Sequence, residues 1–116
     1  MDMMLLGETV RGTGDASATS YLGYWMPAGG NNGVGAVEIF LVSSANVVQV
    51  EVDTKSSDAV DPGGTASTAV TVDSTDPKIY RFPIANAKDM VRYKLTITGA
   101  SDYVHFQFAQ PLWLPN

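Results

Sequence analysis

Residues 91–98 and 103–108 each alternate apolar and polar side chains with a period of two. Successive side chains of a β-strand lie on opposite faces of a sheet, so this alternation predicts two strands with one buried face each. A short turn-forming segment, Gly-Ala-Ser-Asp, separates them. We therefore expect residues 91–99 and 102–109 to be adjacent antiparallel strands of a β-hairpin. The side chains expected to be buried are Val91, Tyr93, Leu95, Ile97, Val104, Phe106 and Phe108.

Shorter apolar runs fill most of the remaining chain, and Gly or Pro occurs in nearly every gap between them. Residues 48–53 alternate, whereas the denser run at residues 36–42 is typical of a strand covered on both faces. Further candidate strands are residues 3–11, 17–26, 68–72 and 78–84. Only residues 85–90 resemble a helix, of about one and a half turns. About seven or eight short strands with this spacing predict an all-β fold, either an antiparallel β-sandwich or a jelly-roll-like barrel.

The chain has the length of one domain, at 116 residues, and its 45% hydrophobic content is sufficient for a packed core. We predict a single β-sandwich domain over residues 1–116. Its loop at residues 55–67 is rich in Ser, Asp, Gly and Pro and is expected to be exposed. We expect the last residues, 110–116, to form an extended apolar C-terminal tail, because Pro111 and Pro115 favour extended backbone.

The charge and cysteine content argue against several classes of function. The net charge is −5 and the seven Lys and Arg residues are scattered along the chain, so nucleic-acid binding is not expected. The absence of cysteine removes disulfides, thiolate metal sites and cysteine catalysis. The segment MDMMLLGETV has neither the basic start nor the long apolar run of a signal peptide, and no apolar run is long enough for a transmembrane helix. We expect no cofactor, no nucleic-acid partner and no membrane partner.

The residues suited to catalysis do not form a known motif. His105, the only histidine, occupies a polar position of a predicted strand, and no serine lies in a nucleophile elbow. A glycosidase-like carboxylate pair would have to come from Glu8, Glu38 and Glu51, and the last two occupy outward strand positions where carboxylates are normally solvated. The glycine-rich residues 29–35 lack the lysine of a phosphate-binding loop. The sequence therefore predicts a protein that is not an enzyme.

Acidic residues crowd two loops that we expect at one end of the sandwich. Carboxylate oxygens are suitable ligands for calcium. The spacing of these acids matches no EF-hand or repeat-type calcium motif, and Asp is common in turns because its side chain bonds to nearby backbone. We interpret them as turn residues, with calcium binding as the alternative, and assign no metal site. The residues concerned are Asp53, Asp58, Asp61, Asp73 and Asp76.

Two segments are unusually apolar for the surface of a monomer. Residues 16–37 carry no charge and contain three large aromatic residues, which suit a core, a subunit interface or a platform that stacks on sugar rings. The tail contains a Leu-Trp-Leu sequence, which either folds back on its own domain or docks on a neighbouring subunit. Because the two segments together exceed what monomers usually expose, we expect a homo-oligomer. The candidate interface residues are Tyr21, Tyr24, Trp25, Leu112, Trp113 and Leu114.

The stretch from Ile79 to Pro115 contains three features in order: an aromatic-x-Phe-x-Ile strand (YRFPI), the sequence VRYKLTITG and a second aromatic strand (YVHFQF). This arrangement, over about a third of the chain, resembles small structural proteins encoded in the gene clusters of tailed bacteriophages. The resemblance implies a capsid decoration or head-associated protein that oligomerises on a shell, and a location in the virion. For a chain that no phage encodes we expect a cytoplasmic location.

The sequence thus predicts a non-enzymatic structural protein that acts through protein–protein contacts. Its expected partners are further copies of itself and, following the resemblance, a capsid or other virion protein. The alternative is a carbohydrate-binding β-sandwich module that uses exposed aromatic residues, Tyr21, Tyr24 and Trp25, as its sugar platform.

Overall fold

A computed structural model describes residues 3–14, 18–58 and 64–115. Across these ranges the chain forms eleven strand segments and no helix. The segments are β1 Met3–Met4, β2 Val10–Thr13, β3 Thr19–Gly23, β4 Met26–Pro27, β5 Gly33–Val42, β6 Val48–Lys55, β7 Gly64–Thr65, β8 Val70–Thr71, β9 Lys78–Ile84, β10 Met90–Ile97 and β11 Tyr103–Trp113.

The strands form two sheets. Sheet A has the order β1-β3-β10-β6-β7, with β4 paired to β10 and β8 paired to β6. Sheet B has the order β2-β11-β5-β9. Every pairing is antiparallel except that of β1 with β3. The predicted all-β, sandwich-like fold is therefore confirmed, and several of its strand segments are only two residues long.

The two alternating segments near the end of the chain are not a hairpin, so that prediction is wrong. β10 pairs with β3, β4 and β6 in sheet A, whereas β11 pairs with β2 and β5 in sheet B. The connection between them crosses from one sheet to the other, and their apolar faces meet across the core. All seven side chains predicted to be buried are buried. Alternation shows that one face of a strand is covered, but a hairpin and a crossing between sheets satisfy it equally.

A hydrogen-bonded turn holds this crossing in place. Gly99 has a φ of 118°, and a Cβ there would collide with the carboxylate of Asp102. Ser43, at the end of β5, donates from Oγ to Asp102 Oδ1 at 2.9 Å and accepts the backbone N–H of Tyr103 at 3.0 Å. The backbone N–H of Gly14 also donates to the carbonyl of Asp102 at 2.9 Å. Three separate parts of the chain therefore fix the point where β11 begins.

Other sequence predictions need correction. Residues 36–42 are not covered on both faces, because β5 lies in the middle of sheet B with its outer face open, and Phe40 and Leu41 are exposed. Residues 85–90 are not helical: residues 85–89 form the connection from β9 to β10, in which Asn86 has a φ of 57°, and Met90 begins β10. The single strands predicted at residues 3–11 and 17–26 are each interrupted and become two short strands.

The core between the sheets is built around stacked aromatic rings. Tyr93 stacks on Phe108 with ring centroids 5.1 Å apart, and Phe82 meets Tyr93 edge-on at 6.0 Å. The Tyr93 hydroxyl accepts the backbone N–H of Ala36 at 3.2 Å. Burial raises the pKa of Tyr93 to about 12. Sheet A contributes Tyr93 to this cluster, and sheet B contributes Phe82 and Phe108, so the aromatic rings join the two sheets.

Candidate functional site

The predicted apolar tail continues β11 along sheet B. The strand runs to Trp113, with Leu112 opposite Val34 and Trp113 opposite Gly33 of β5. The backbone N–H of Leu114 then donates to the carbonyl of Asn32 at 2.9 Å. A register irregularity between residues 109 and 112 accommodates a buried proline, as expected for a residue that cannot donate to the ladder. The segment is therefore an ordered strand end.

Trp113 packs against its own domain. Its indole contacts the core and covers two glycines, Gly29 and Gly33. A Cβ added at Gly33 would lie 2.9 Å from Trp113 Cε3, and one added at Gly29 would collide with the indole ring. These two positions must lack side chains for the ring to sit where it does. Of the two placements that the sequence left open for the tail, the structure shows Trp113 folded back on its own domain.

The two leucines beside Trp113 are turned outward. Leu112 is 74% exposed and Leu114 is 52% exposed. They lie two residues apart on extended backbone and so share one face. Across the outer face of sheet B, Leu112 is opposite Val34, and Val34 is opposite Pro83 of β9. Leu112, Leu114, Val34 and Pro83 form an uncharged surface that we call the tail patch.

The next rows of the outer face of sheet B contain polar side chains together with the exposed Ile79, which lies opposite Glu38. Ala109 and Ala36 follow the tail patch, with Arg81 beside them on β9. One row further, Gln107 Nε2 donates to Glu38 Oε1 at 3.1 Å. The tail patch therefore occupies one end of the face, and hydrogen-bonded polar side chains begin two rows away.

Two of the three candidate aromatic residues are engaged within the domain. The Tyr21 hydroxyl accepts the backbone N–H of Thr13 at 2.9 Å, and its ring meets Phe106 edge-on at 6.0 Å. Trp25 lies under two cations, with Lys55 Nζ 4.7 Å and Arg92 Cζ 4.4 Å from its ring centroid. The contacts with Phe106, Lys55 and Arg92 are long-range in sequence, so no local sequence pattern indicates them.

The third aromatic residue, Tyr24, is 51% exposed. It follows β3 of sheet A, whereas the tail lies on sheet B. The structure therefore divides the six candidate interface residues: Leu112, Leu114 and Tyr24 are exposed, and Tyr21, Trp25 and Trp113 are half-buried. The two segments do not form one continuous aromatic surface.

An exposed apolar surface at the N-terminus was missed by sequence reasoning. Met3, Leu5 and Leu6 are exposed around β1, and Tyr24 donates its backbone N–H to the carbonyl of Met4 at 3.2 Å. Met4 itself is buried in the core. The available signal was the unbroken apolar run at residues 3–6, which has no polar residue to alternate with. We call Met3, Leu5, Leu6 and Tyr24 the N-terminal patch.

His105 forms a cross-strand pair. Arg11 of β2 donates from Nε to His105 Nε2 at 3.1 Å, and the Arg11 guanidinium lies 4.9 Å from the ring centroid of Tyr103. The Arg11–His105 hydrogen bond joins two directly opposite residues of β2 and β11, so His105 has a structural partner in sheet B.

Two of the acidic residues considered for calcium, Asp53 and Asp73, have side-chain partners within the domain. Asp53 is buried and pairs with Arg92 at 3.3 Å. Asp73 accepts from the Tyr80 hydroxyl at 3.2 Å and lies 3.6 Å from Lys78 Nζ. The Tyr80 hydrogen bond, followed by the Lys78 charge, lowers the pKa of Asp73. Asp61 lies outside the described residues. Within the described ranges, no three His, Asp or Glu side chains are grouped as metal ligands.

Three loops border an open cleft at one end of the sandwich. The cleft has a volume of about 620 Å³ and is lined by residues 28–31, Ser56 and residues 87–89. The Asp89 carboxylate accepts the backbone N–H of Ser57 at 3.0 Å, and the Asp89 carbonyl accepts that of Ala28 at 2.9 Å. These bonds connect the loops to one another. The cleft is the space between loops that together cover this end of the sandwich.

Over the described part of the chain, no helix has the length and apolar character needed to cross a membrane. The chain was compared with protein-family models, curated proteins and solved structures, and none of the three comparisons found a match.

Proposed function

We propose that this protein is a non-enzymatic structural protein that assembles with copies of itself through the tail patch. The observation that carries the proposal is the arrangement at the end of β11. Trp113 packs into its own domain, while Leu112 and Leu114 on either side of it are exposed. An ordered strand end that displays two leucines is suited to contact with another protein surface.

The arrangement makes association favourable for two physical reasons. The segment is already ordered by pairing with β5 and by Trp113, so binding does not have to immobilise a flexible tail. Covering apolar surface contributes about 25 cal/mol per Å² removed from water. The tail patch also contains no charged group that would lose hydration on contact.

A place in a phage virion is the finer part of the proposal and rests on the resemblance of residues 79–115. Pro83, Leu112 and Leu114 of the tail patch all come from that stretch. A capsid or other virion protein is then a further partner, and the domain decorates or joins a shell. The genes that neighbour the one encoding this protein test this placement. Portal, capsid and tail genes would support it, and unrelated genes would argue against it.

The geometry supports a sugar-binding role less well. A stacking platform needs an open aromatic face, yet the Trp25 ring is covered by Lys55 and Arg92. Tyr21 is half-buried and hydrogen-bonded to Thr13. Of the three residues considered for the platform, only Tyr24 is exposed.

The proposal is tested by making the tail patch charged without touching the core. In the double variant Leu112→Asp/Leu114→Asp, sedimentation velocity should show loss of the wild-type oligomer, while circular dichroism and the melting temperature stay close to wild type. The matched control is Leu41→Asp, an exposed leucine at the opposite end of β5 from Val34. It should leave the oligomer intact. An unchanged mass for the double variant would contradict the proposal.

A further inference from the structure

The two exposed apolar patches are built in the same way. In each, a side chain packed against the core fixes the segment, and the residues on both sides of it are exposed. Met4 is buried between Met3 and Leu5, as Trp113 is packed between Leu112 and Leu114. The N-terminal patch is therefore a second prepared apolar surface, separate from the tail patch.

Hydrogen bonds hold the N-terminal patch in a fixed shape. Leu5 donates its backbone N–H to Glu8 Oε1 at 3.0 Å, and Glu8 returns its N–H to the carbonyl of Leu5 at 3.2 Å. Gly7, with a φ of 78°, donates to the carbonyl of Phe108 at 2.8 Å. These bonds close the turn and tie it to β11 of sheet B, and the bond from the Tyr24 N–H to the Met4 carbonyl ties the preceding strand β1 to sheet A. Leu5 is 62% exposed in this fixed turn.

Each patch forms only the centre of an interface, so a contact between two copies also covers polar surface around the patches. A stable interface buries about 800 Å² on each partner, and four side chains supply only a part of that area. The patches lie on different parts of the domain: β1 is the edge of sheet A, and the tail patch is on the outer face of sheet B. Contact between two tail patches would leave every N-terminal patch in water. Contact of a tail patch with an N-terminal patch covers both kinds of surface.

The charges beside the two patches are opposite in sign. Glu8 borders the N-terminal patch, and Arg81 lies beside the tail patch, one row away from Pro83. Arg81 forms no ion pair with any residue that the structure describes. Contact between two tail patches would place two Arg81 side chains in one interface, whereas contact between unlike patches places Arg81 near Glu8.

We infer that Leu112 and Leu114 of one copy dock on Met3, Leu5, Leu6 and Tyr24 of a second copy. This inference rests on the proposed self-assembly and specifies its geometry. Each copy then offers one surface of each kind, so the contact is head-to-tail. Such contacts build a ring where the rotation between copies closes, and an extended array where it does not.

Mixing two variants tests this geometry. The tail variant is Leu112→Asp/Leu114→Asp, and the N-terminal variant is Leu5→Asp/Leu6→Asp. Each variant lacks one of the two surfaces, so each alone should be monomeric by sedimentation velocity. Mixed in equal amounts at the concentration where the wild type is fully assembled, they should form a 1:1 complex of twice the monomer mass, joined by the single intact pair of patches.

Other outcomes of the mixing experiment have distinct meanings. An N-terminal variant that keeps the wild-type mass, with no complex in the mixture, would show that tail patches contact each other and would overturn the inference. A wild type that is already monomeric would instead refute the proposed function itself. Tyr24→Asp removes the same patch from a different part of the chain, so it replaces Leu5→Asp/Leu6→Asp if circular dichroism shows that the latter is unfolded. Leu41→Asp is the control and should assemble as the wild type does.

Discussion

Trp113 lies directly opposite Gly33 in the β11–β5 ladder, and its indole covers the space that a side chain at Gly33 would fill. This pairing extends β11 to Trp113. It also sets the direction of the neighbouring side chains, because residues on either side of an inward-facing position on a strand face outward. The exposure of Leu112 is thus a consequence of the packing of Trp113.

Stability and assembly should be separable at adjacent residues. Trp113→Ala removes a half-buried indole and should lower the free energy of unfolding by about 2 kcal/mol. Leu112→Ala, at an exposed position, should change it by less than about 0.5 kcal/mol while weakening the oligomer. Urea denaturation followed by circular dichroism measures the first quantity, and sedimentation measures the second. Equal loss of stability in both variants would show that Leu112 is part of the fold.

Truncation should give a related result. Deleting residues 111–116 removes Trp113 together with the exposed leucines, so the melting temperature and the oligomer mass should both fall. The strand content should stay close to wild type, because β11 keeps its pairing with β2 and most of its pairing with β5. Far-ultraviolet circular dichroism and light scattering on the same sample measure these effects. If the truncated protein kept the wild-type melting temperature and oligomer mass, residues 111–116 would contribute neither to stability nor to assembly.

The crossing between sheets should depend on Ser43. Its Oγ both donates to Asp102 and accepts from Tyr103, and Ser43→Ala removes both bonds. We expect a loss of about 1–2 kcal/mol in the free energy of unfolding. The control is Ser44→Ala, because Ser44 is exposed and its side chain makes no hydrogen bond to the residues that the structure describes. Thermal or urea denaturation should show no change for the control. If both variants lost the same free energy of unfolding, the Ser43 hydroxyl would not stabilise the crossing in the way described.

Tyr93 should make the fold sensitive to alkali. Its pKa rises from 10.0 to about 12 on folding because burial disfavours the phenolate. A raised pKa stabilises the folded state below pH 10, and this contribution is lost as the pH rises from 10 toward 12. At about 1.4 kcal/mol per pH unit, the full effect is about 3 kcal/mol. The variant Tyr93→Phe should flatten the decline in stability over this range, measured by urea denaturation at several pH values. Tyr24→Phe, at an exposed tyrosine, should leave the decline as it is, and a matching effect of the two variants would contradict the assignment to Tyr93.

Local patterns in the sequence predict burial well here and strand neighbours poorly. The alternation in residues 91–98 identifies the buried face of β10 because burial depends on the strand itself. The neighbour of β10 depends on where the chain goes after Gly99, and a turn-forming segment serves a hairpin and a crossing between sheets alike. The cations over Trp25 come from residues 30 and 67 positions away, Lys55 and Arg92, and no local pattern reports such a contact.

The candidate site was predictable to a similar extent. The Leu-Trp-Leu sequence indicates an apolar strand end, and alternation implies that its leucines and tryptophan face opposite ways. Which of them faces the core depends on Gly29 and Gly33, whose missing side chains make room for the indole. The N-terminal patch could not be derived from periodicity, because residues 3–6 are all apolar and a buried and an exposed position look the same.

The mass of the unmodified protein in solution tests the central claim most directly. Light scattering coupled to size exclusion, over a range that reaches tens of micromolar, compares that mass with the 12.3 kDa of one chain. Self-assembly through the apolar patches predicts a multiple of 12.3 kDa that falls toward one chain on dilution. A mass of 12.3 kDa at every concentration would contradict it.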